Sequence, residues 1–256
     1  STAKGRTSCS EPGPLRNSAH AVRASPRDGR PGRRRKRFGS SLRRSGGLVS
    51  RAMQSRYVES EARAAVDRWG QQHGEAVALR VYTSRLIGSE RTLVLHGGGN
   101  TSVKARSRNL LGDEIDAIFV KGSGWNLDSL EPAGLPGLDL AWLRRLRQLE
   151  SLSDEEMLNQ LRTHLFDAGA PNPSVETLLH AFLPHAFIDH SHADAVLALT
   201  NQPAAQDLVA EALGDRVIDL PYIMPGFPLA KAVVAAFEAR PDVDGIVLRK
   251  HGLFSF

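Results

Sequence analysis

From Tyr57 to the last residue, helical and extended patterns alternate along the chain. Residues 57–70 and 75–87 carry apolar side chains near a period of 3.6, as in helices that bury one face. The segments 116–120 and 216–220 have the length and the apolar, β-branched composition of short strands. Because no repeat interrupts this alternation, the sequence predicts an α/β domain in which helices pack on a sheet.

The same patterns predict the remaining elements. Strands are expected at 91–95 and 245–249, and strand character extends over 187–199. Ser153 is expected to cap a helix, with Glu156 at the capping-box position. Further helices are predicted at 138–149, 153–166, 175–183, 204–213 and 228–239.

The first 52 residues differ in composition from the rest. They hold 14 of the 33 Lys and Arg residues but 2 of the 28 Asp and Glu residues, which leaves residues 53–256 with a net charge of −7. Such a polar segment cannot bury enough apolar surface to offset the entropy lost on ordering. We therefore predict a disordered basic extension at 1–52 and a folded domain at 53–256.

The run Arg33–Arg37 leaves three interpretations of this extension. It could be an arm that binds nucleic acid, or an organelle transit peptide, which is typically rich in Arg and Ser and poor in acids. It could also be an extension without function, which we favour because Met53 begins a well-formed helical pattern. Nucleic-acid binding is therefore not the activity we expect.

Cysteine content and hydropathy bound the class of protein. Cys9 is the only cysteine, so an intrachain disulfide is excluded, and this fits a reducing compartment. No apolar run approaches the roughly 20 residues that cross a bilayer, and no secretory signal pattern begins the chain. We expect a cytoplasmic protein without a membrane partner.

Three histidines are candidates for binding a metal. His190 and His192 lie two residues apart on an extended segment, so their imidazoles project from the same side. His251 follows an apolar strand and precedes Gly252, a place from which it can face a cleft. Each alone is compatible with an ordinary surface or structural histidine. Together they form a set that leaves one position of a metal open for substrate.

Acidic and further histidine residues surround these candidates. Glu176, in the first turn of a predicted helix, either complements the helix dipole or acts as a general base beside a metal. Asp189 and Asp194 flank the histidine pair and are either outer partners of the ligands or surface acids. We assign His180 to helix packing and His185 to a turn.

Two glycine-rich turns follow the predicted strands 91–95 and 116–120. Gly97–Lys104 offers backbone N–H groups, hydroxyls and a lysine, the components of a phosphate or oxyanion site. Lys121–Gly124 is a second turn of this kind. Neither matches the P-loop or the dinucleotide fingerprint. The His-Gly-Gly-Gly string that begins at His96 is not accompanied by the nucleophile elbow of a lipase.

Taken together, these motifs resemble the class II aldolase/adducin family over residues 57–256. They occur in the family's order: a Gly-Asn loop, a Gly-Ser-Gly turn, a Pro-Ser-x-Glu segment, His-x-His and a later His-Gly. The branch that the chain resembles most is the aldolase half of bifunctional rhamnulose-1-phosphate aldolase/alcohol dehydrogenases. The segments that carry this similarity are Gly97–Lys104, Val120–Trp125, Asn172–Leu183, His190–Pro203 and Pro225–Phe227.

The resemblance implies a fold and a role for each matched residue. The fold is a three-layer domain with a central, mostly antiparallel sheet flanked by helices. His190, His192 and His251 would bind Zn²⁺ or another divalent transition metal, and Glu176 would transfer a proton. The substrate phosphate would be bound by residues of both turns: Gly99, Asn100, Ser102, Lys104, Gly122 and Ser123. Members form homotetramers with active sites between subunits.

The implied reaction is cleavage of a ketose 1-phosphate through a metal-stabilised enediolate. L-rhamnulose 1-phosphate is the expected substrate, with dihydroxyacetone phosphate and lactaldehyde as products. A sugar-phosphate 4-epimerase or a related lyase could use the same site. An adducin-like interaction module is a further alternative, but it would not need the ligands and Glu176. Because the chain ends directly after the strand-like Gly252–Phe256, we expect an incomplete domain, and nothing in it supports nicotinamide binding.

Overall fold

The computed structural model describes residues 53–256, so the predicted extension 1–52, with Cys9 and the run Arg33–Arg37, lies outside the described residues. In the described part the helices are α1 (Glu59–His73), α2 (Glu75–Gly88), α3 (Leu140–Leu146), α4 (Asp154–Thr163), α5 (Thr177–Phe182), α6 (Asp194–Thr200), α7 (Ala205–Leu213) and α8 (Phe227–Ala239). The strands are β1 (Asn100–Arg108), β2 (Glu114–Val120), β3 (Gly137–Asp139), β4 (Phe187–Ser191), β5 (Val217–Leu220), β6 (Gly245–Leu248) and β7 (Gly252–Ser255). None of these helices is long and apolar enough to cross a membrane.

The strands form one open sheet in the order β3-β2-β1-β4-β7-β6-β5. Adjacent strands are antiparallel except β5 and β6, which are parallel. Helices lie on both faces of this sheet. The predicted α/β fold with a mostly antiparallel central sheet is therefore confirmed.

Alternate side chains of the strands enter cores on opposite faces of the sheet. On one face, Ile118 and Phe254 belong to the main core, which also contains residues of α3, α4, α5 and α8. On the other face, Val103 packs with residues of α2, and Val247 packs with residues of α6 and α7. Successive strand residues point to opposite faces, and both faces of this sheet are apolar. Burying both requires helices on each side, which gives three layers.

The predicted strand 91–95 does not form, and the predicted strand 187–199 is wrong in its bounds. Residues 91–95 make a turn and the start of a loop, where Val94 is buried in the core beside Val103 while Leu95 is half exposed. The glycines therefore precede a strand, β1, whose polar sequence gave no strand pattern. The strand character over 187–199 ends at Ser191, and the apolar residues beyond it line one side of α6.

Polar residues converge at one end of the sheet because of its antiparallel pairing. Asn100, the first residue of β1, pairs with His190 near the end of β4. Ser191 pairs with Leu253 of β7, so the turn that carries His251 lies at the same end. The register of β1 and β2 also brings the end of β2 to this place. Residues far apart in sequence thus share one edge.

Candidate metal centre

Three imidazole rings meet at this edge. His190 and His192 come from the end of β4 and the residue beyond it, and His251 comes from the turn between β6 and β7. One ring nitrogen of each lies within 4.8 Å of those of the other two. The Nε2 atoms of His190 and His192 are 3.1 Å apart. Nitrogens bound to one tetrahedral zinc ion would lie roughly 3.3 Å apart, so the donor set and its spacing fit such an ion.

His190 is fixed and neutral. Its ring is fully buried and stacks on Phe254, with centroids 4.2 Å apart. Its Nδ1 lies 3.2 Å from the carbonyl oxygen of Leu253, so Nδ1–H donates there and Nε2 presents a lone pair to the other histidines. Burial, and to a lesser extent His192, lowers the pKa of His190 to about 3. A neutral imidazole is the form that binds metals.

The carboxylate of Glu176 lies between the rings. Its Oε1 is 3.2 Å from Nε2 of His251, and its Oε2 is 3.4 Å from Nε2 of His190. Oε2 also accepts a 2.6 Å hydrogen bond from Asn100, whereas the buried Oε1 has no hydrogen-bond partner. Burial raises the pKa of Glu176, and His251 and Asn100 oppose this effect. Since buried polar atoms are normally bonded, Oε1 is available to a ligand.

The alternative that Glu176 only complements a helix dipole gains no support from its contacts. Glu176 immediately precedes α5, and its side chain makes no capping hydrogen bond. Asp189, the other acid considered beside the ligands, points to the opposite face of β4 and lies 2.6 Å from the buried guanidinium of Arg80. Asp194 is the first residue of α6. Among these acids, the structure brings only Glu176 into the cluster.

Sequence reasoning missed the contacts of His180, which it assigned to helix packing. His180 is fully buried on α5, and its Nε2 lies 2.5 Å from Oδ1 of Asn100. Its Nδ1 lies 2.8 Å from Oγ of Ser102, a residue that is itself fully buried. Ser102 therefore lies beneath the cluster, and its hydroxyl does not face the open side. The signal for His180 was its position four residues after Glu176, one helical turn away.

The two lysines near the glycine-rich turns have different surroundings. Lys104 donates a 2.6 Å hydrogen bond to the carbonyl of His185. Burial, and then the charge of Arg144, lowers the pKa of Lys104 to about 7. Lys121, which is absent from the predicted site, donates to the carbonyl of Gly97 at 3.1 Å. The charge of Glu176 raises the pKa of Lys121, which opposes the lowering by burial. Its place directly after β2 was the signal that could have identified it.

The glycine-rich turns lie against the histidines. Gly99 has a φ of 65°, and a Cβ there would lie 2.7 Å from the carbonyl oxygen of His190. A larger residue would therefore push the turn away from β4. In the second turn, the N–H groups of Gly122 and Ser123 donate to the carbonyls of Gly134 and Asn172, at 2.8 Å each. The exposed side chain of Ser123 is the part of this turn left free to meet a ligand.

Comparison with known proteins identifies relatives of this domain. The curated "uncharacterized oxidoreductase YuxG" of Bacillus subtilis is 38% identical over 176 residues, which are 69% of this chain and 26% of the relative. The chain thus spans about a quarter of that relative's length. The N-terminal class II aldolase domain of a conserved protein from Thermoplasma acidophilum is 44% identical, with a TM-score of 0.69 and coverage of 80% of this chain and 89% of that one.

A more distant structure shares the fold alone. An aldolase II superfamily protein from Pseudomonas syringae is 16% identical, with a TM-score of 0.50 and coverage of 74% of this chain and 68% of that one. Residues 78–256 match the family model for the class II aldolase and adducin N-terminal domain. Since this match covers most of the chain, the protein belongs to the class II aldolase and adducin family.

Proposed function

We propose that this domain is a metal-dependent aldolase that cleaves a carbon–carbon bond of a phosphorylated ketose. The observation that carries the proposal is the meeting of three imidazoles with a buried carboxylate, Glu176, whose Oε1 has no hydrogen-bond partner. Metal dependence is typical of class II aldolases. A bound divalent cation acts as a Lewis acid and stabilises negative charge on substrate oxygens as the bond breaks.

His190, His192 and His251 would hold the cation, which we propose to be Zn²⁺. Imidazole nitrogens are donors of the type that zinc prefers, and three protein ligands would leave a position for substrate. The fixed orientation of His190, between Phe254 and the carbonyl of Leu253, keeps its Nε2 directed into the site. Binding of a cation at His190 would therefore require no rearrangement of β4.

Glu176 would exchange the proton at the carbon that becomes negative when the bond breaks. Its Oε2 is held by Asn100, so Oε1 is the atom that would take or return the proton. Burial raises the pKa of this carboxyl, which brings its proton affinity closer to the range useful near neutral pH. His251 and Asn100 oppose this rise.

The substrate we propose is a ketose 1-phosphate, with L-rhamnulose 1-phosphate as the first candidate. Its phosphate would lie against the two turns, near Gly99 and Ser123, where Lys121 supplies positive charge. Asn100 and Gly122 would support these turns, and Ser102 and Lys104 would act from beneath them. We further propose homotetramers with active sites between subunits and a location in the cytoplasm.

A panel of stereochemically defined ketose 1-phosphates, assayed for release of triose phosphate by the zinc-loaded chain, tests the proposal. We expect release from at least one sugar, and a loss in kcat of about 10²- to 10⁴-fold in Glu176→Gln because the proton carrier is removed. Metal content should not change in that variant. Glu211→Gln, at an exposed position of α7, serves as the matched control.

Two results would contradict the aldolase assignment. One is an isomerised but intact sugar phosphate, which would identify the epimerase alternative. The other is the absence of any turnover across the panel with full metal loading. Unchanged kcat in Glu176→Gln would remove Glu176 from its role while leaving the metal centre in place.

A further inference from the structure

Four polar side chains form a continuous hydrogen-bonded chain from the core of the domain to the proposed site. Oγ of Ser102 lies 2.8 Å from Nδ1 of His180, and Nε2 of His180 lies 2.5 Å from Oδ1 of Asn100. Nδ2 of Asn100 then donates to Oε2 of Glu176 at 2.6 Å. Ser102 and His180 are both completely buried.

The orientation of the Asn100 amide fixes the direction of the other bonds in this chain. Its Nδ2 donates both to Oε2 of Glu176, at 2.6 Å, and to Oγ of Ser174, at 3.2 Å. The carbonyl oxygen of Asn100 then faces His180 and only accepts, so Nε2 of His180 must carry the proton. Nδ1 of the neutral ring is left as an acceptor, and Ser102 donates to it.

The donor at Nε2 of His180 therefore stabilises this orientation of the Asn100 amide. A reversed amide would place its carbonyl oxygen against the carboxylate of Glu176 and its NH₂ group against Nε2–H of His180. Both contacts would be repulsive in a buried environment, where unmatched polar groups are costly. Asn100 also donates to Oγ of Ser174 at 3.2 Å, so its NH₂ group has two acceptors only in the observed orientation.

Packing alone does not account for a histidine at this position. His180 lies in a core of Leu and Phe side chains, with Phe254 edge-on at 5.4 Å between ring centroids. A leucine would fill much of the same space without bringing two polar atoms out of water. The ring nitrogens are both used, one by each neighbour in the chain.

We propose that His180 is a positioning residue, which holds Asn100 and through it the carboxylate of Glu176, with Ser102 bonded to the second nitrogen of the ring. This inference rests on the proposed role of Glu176, since it assigns the group that directs that carboxylate. Held in this way, Glu176 keeps Oε1 free and directed towards the histidines. Neither His180 nor Ser102 touches the substrate.

The first test compares His180→Gln with His180→Leu. The amide of glutamine can replace Nε2–H as a donor to Asn100, whereas leucine fills the space without a donor. We expect His180→Leu to retain its metal and its KM but to lose about 10- to 100-fold in kcat, the effect of leaving the buried carbonyl of Asn100 without its donor. His180→Gln should recover most of this loss, and Ser102→Ala should lose less than His180→Leu.

A packing role predicts the opposite order, because leucine suits an apolar core better than glutamine. Wild-type kcat in His180→Leu, or a lower kcat in His180→Gln than in His180→Leu, would therefore overturn the inference. Cooperative thermal unfolding and metal content of each variant show whether its fold is retained.

The second test needs no substrate and therefore separates this inference from the proposed function. Long-range ¹H–¹⁵N spectra of histidine-labelled wild-type protein should show His180 protonated at Nε2 and unprotonated at Nδ1, with an Nε2 proton that exchanges slowly. His180→Leu assigns the signal by its loss. A ring protonated at Nδ1 overturns the direction of the chain even if the enzyme is active. The expected tautomer, without triose phosphate release by the wild type, would refute the aldolase and leave the orientation of Glu176 established.

Discussion

Two polar clusters at the same end of the sheet differ in how completely their members are paired. Arg249 directly follows β6, and Asp219 lies in the neighbouring parallel strand β5, one residue before its end. Arg249 donates from Nε to Oδ1 and Oδ2 of Asp219, at 2.8 and 3.0 Å, and from Nη2 to Oδ2 at 2.5 Å. In the histidine cluster, Oε1 of Glu176 and Nδ1 of His251 are buried without hydrogen-bond partners. A pair whose polar atoms are all hydrogen-bonded stabilises the fold. A cluster with buried polar atoms that lack partners can still bind a ligand.

The two clusters also differ in charge. Hydrogen bonding to Asp219 raises the pKa of Arg249, so its guanidinium stays charged. Burial instead lowers the pKa values of His190 and His251, which keeps these rings neutral as ligands must be. The same end of the sheet thus holds one pair that neutralises itself and one cluster suited to a cation.

The largest effect that would distinguish the clusters is acid sensitivity of the metal-free protein. The pKa of His190 is lowered from 6.5 to about 3 on folding, so between these pH values the unfolded chain binds more protons. The free energy of unfolding must therefore fall as pH falls through this window. The contribution of His190 to stability is complete above pH 6.5. The lowered pKa values of His180 and His251 act in the same direction.

Glu176 acts in the opposite direction because its pKa is raised above 4.5 in the fold, so it favours folding as pH falls. The lowered pKa of His190 alone is worth about 3 kcal/mol between pH 6.5 and 4, so we expect a net loss of stability in acid. Urea unfolding at pH values from 7.5 to 4 measures it. The exposed His73→Asn variant should give the same profile as the wild type. A flat profile would show that the cluster is not buried in neutral form.

A smaller effect is expected from breaking the satisfied pair. Asp219→Asn should lower the free energy of unfolding by about 1 kcal/mol, since the pair is only partly exposed and bonded at two points. Metal content should not change. Asp244→Asn breaks the pair with Arg216, whose side chains are 61% and 80% exposed, and should have no measurable effect. Loss of metal in Asp219→Asn would contradict the distinction between the clusters.

The sequence predicts the fold class and the proposed ligands because both depend on short-range patterns. Apolar periodicity indicates most helices, and the i, i+2 spacing places His190 and His192 on one side of a strand. The N-cap at Ser153 is confirmed by its 3.2 Å bond from the N–H of Glu156. These features need no knowledge of which strands are neighbours.

Other features depend on strand pairing and could not be predicted locally. The polar strand β1 exists because β2 and β4 pair with its two edges. The contacts of His180 and Lys121 arise only when this pairing brings residues 80 and 24 positions away beside them. Conversely, residues 91–95 have the apolar sequence pattern of a strand although they form none, because Val94 packs in the core.

The most direct test of the proposed metal centre is elemental analysis of the purified chain after loading with zinc and removal of free metal. We predict about one ion per subunit in the wild type and in His164→Ala, a histidine variant outside the cluster, and less than about a tenth of that in His190→Ala. Stoichiometric metal in His190→Ala, or none in the wild type, would contradict a centre formed by His190, His192 and His251.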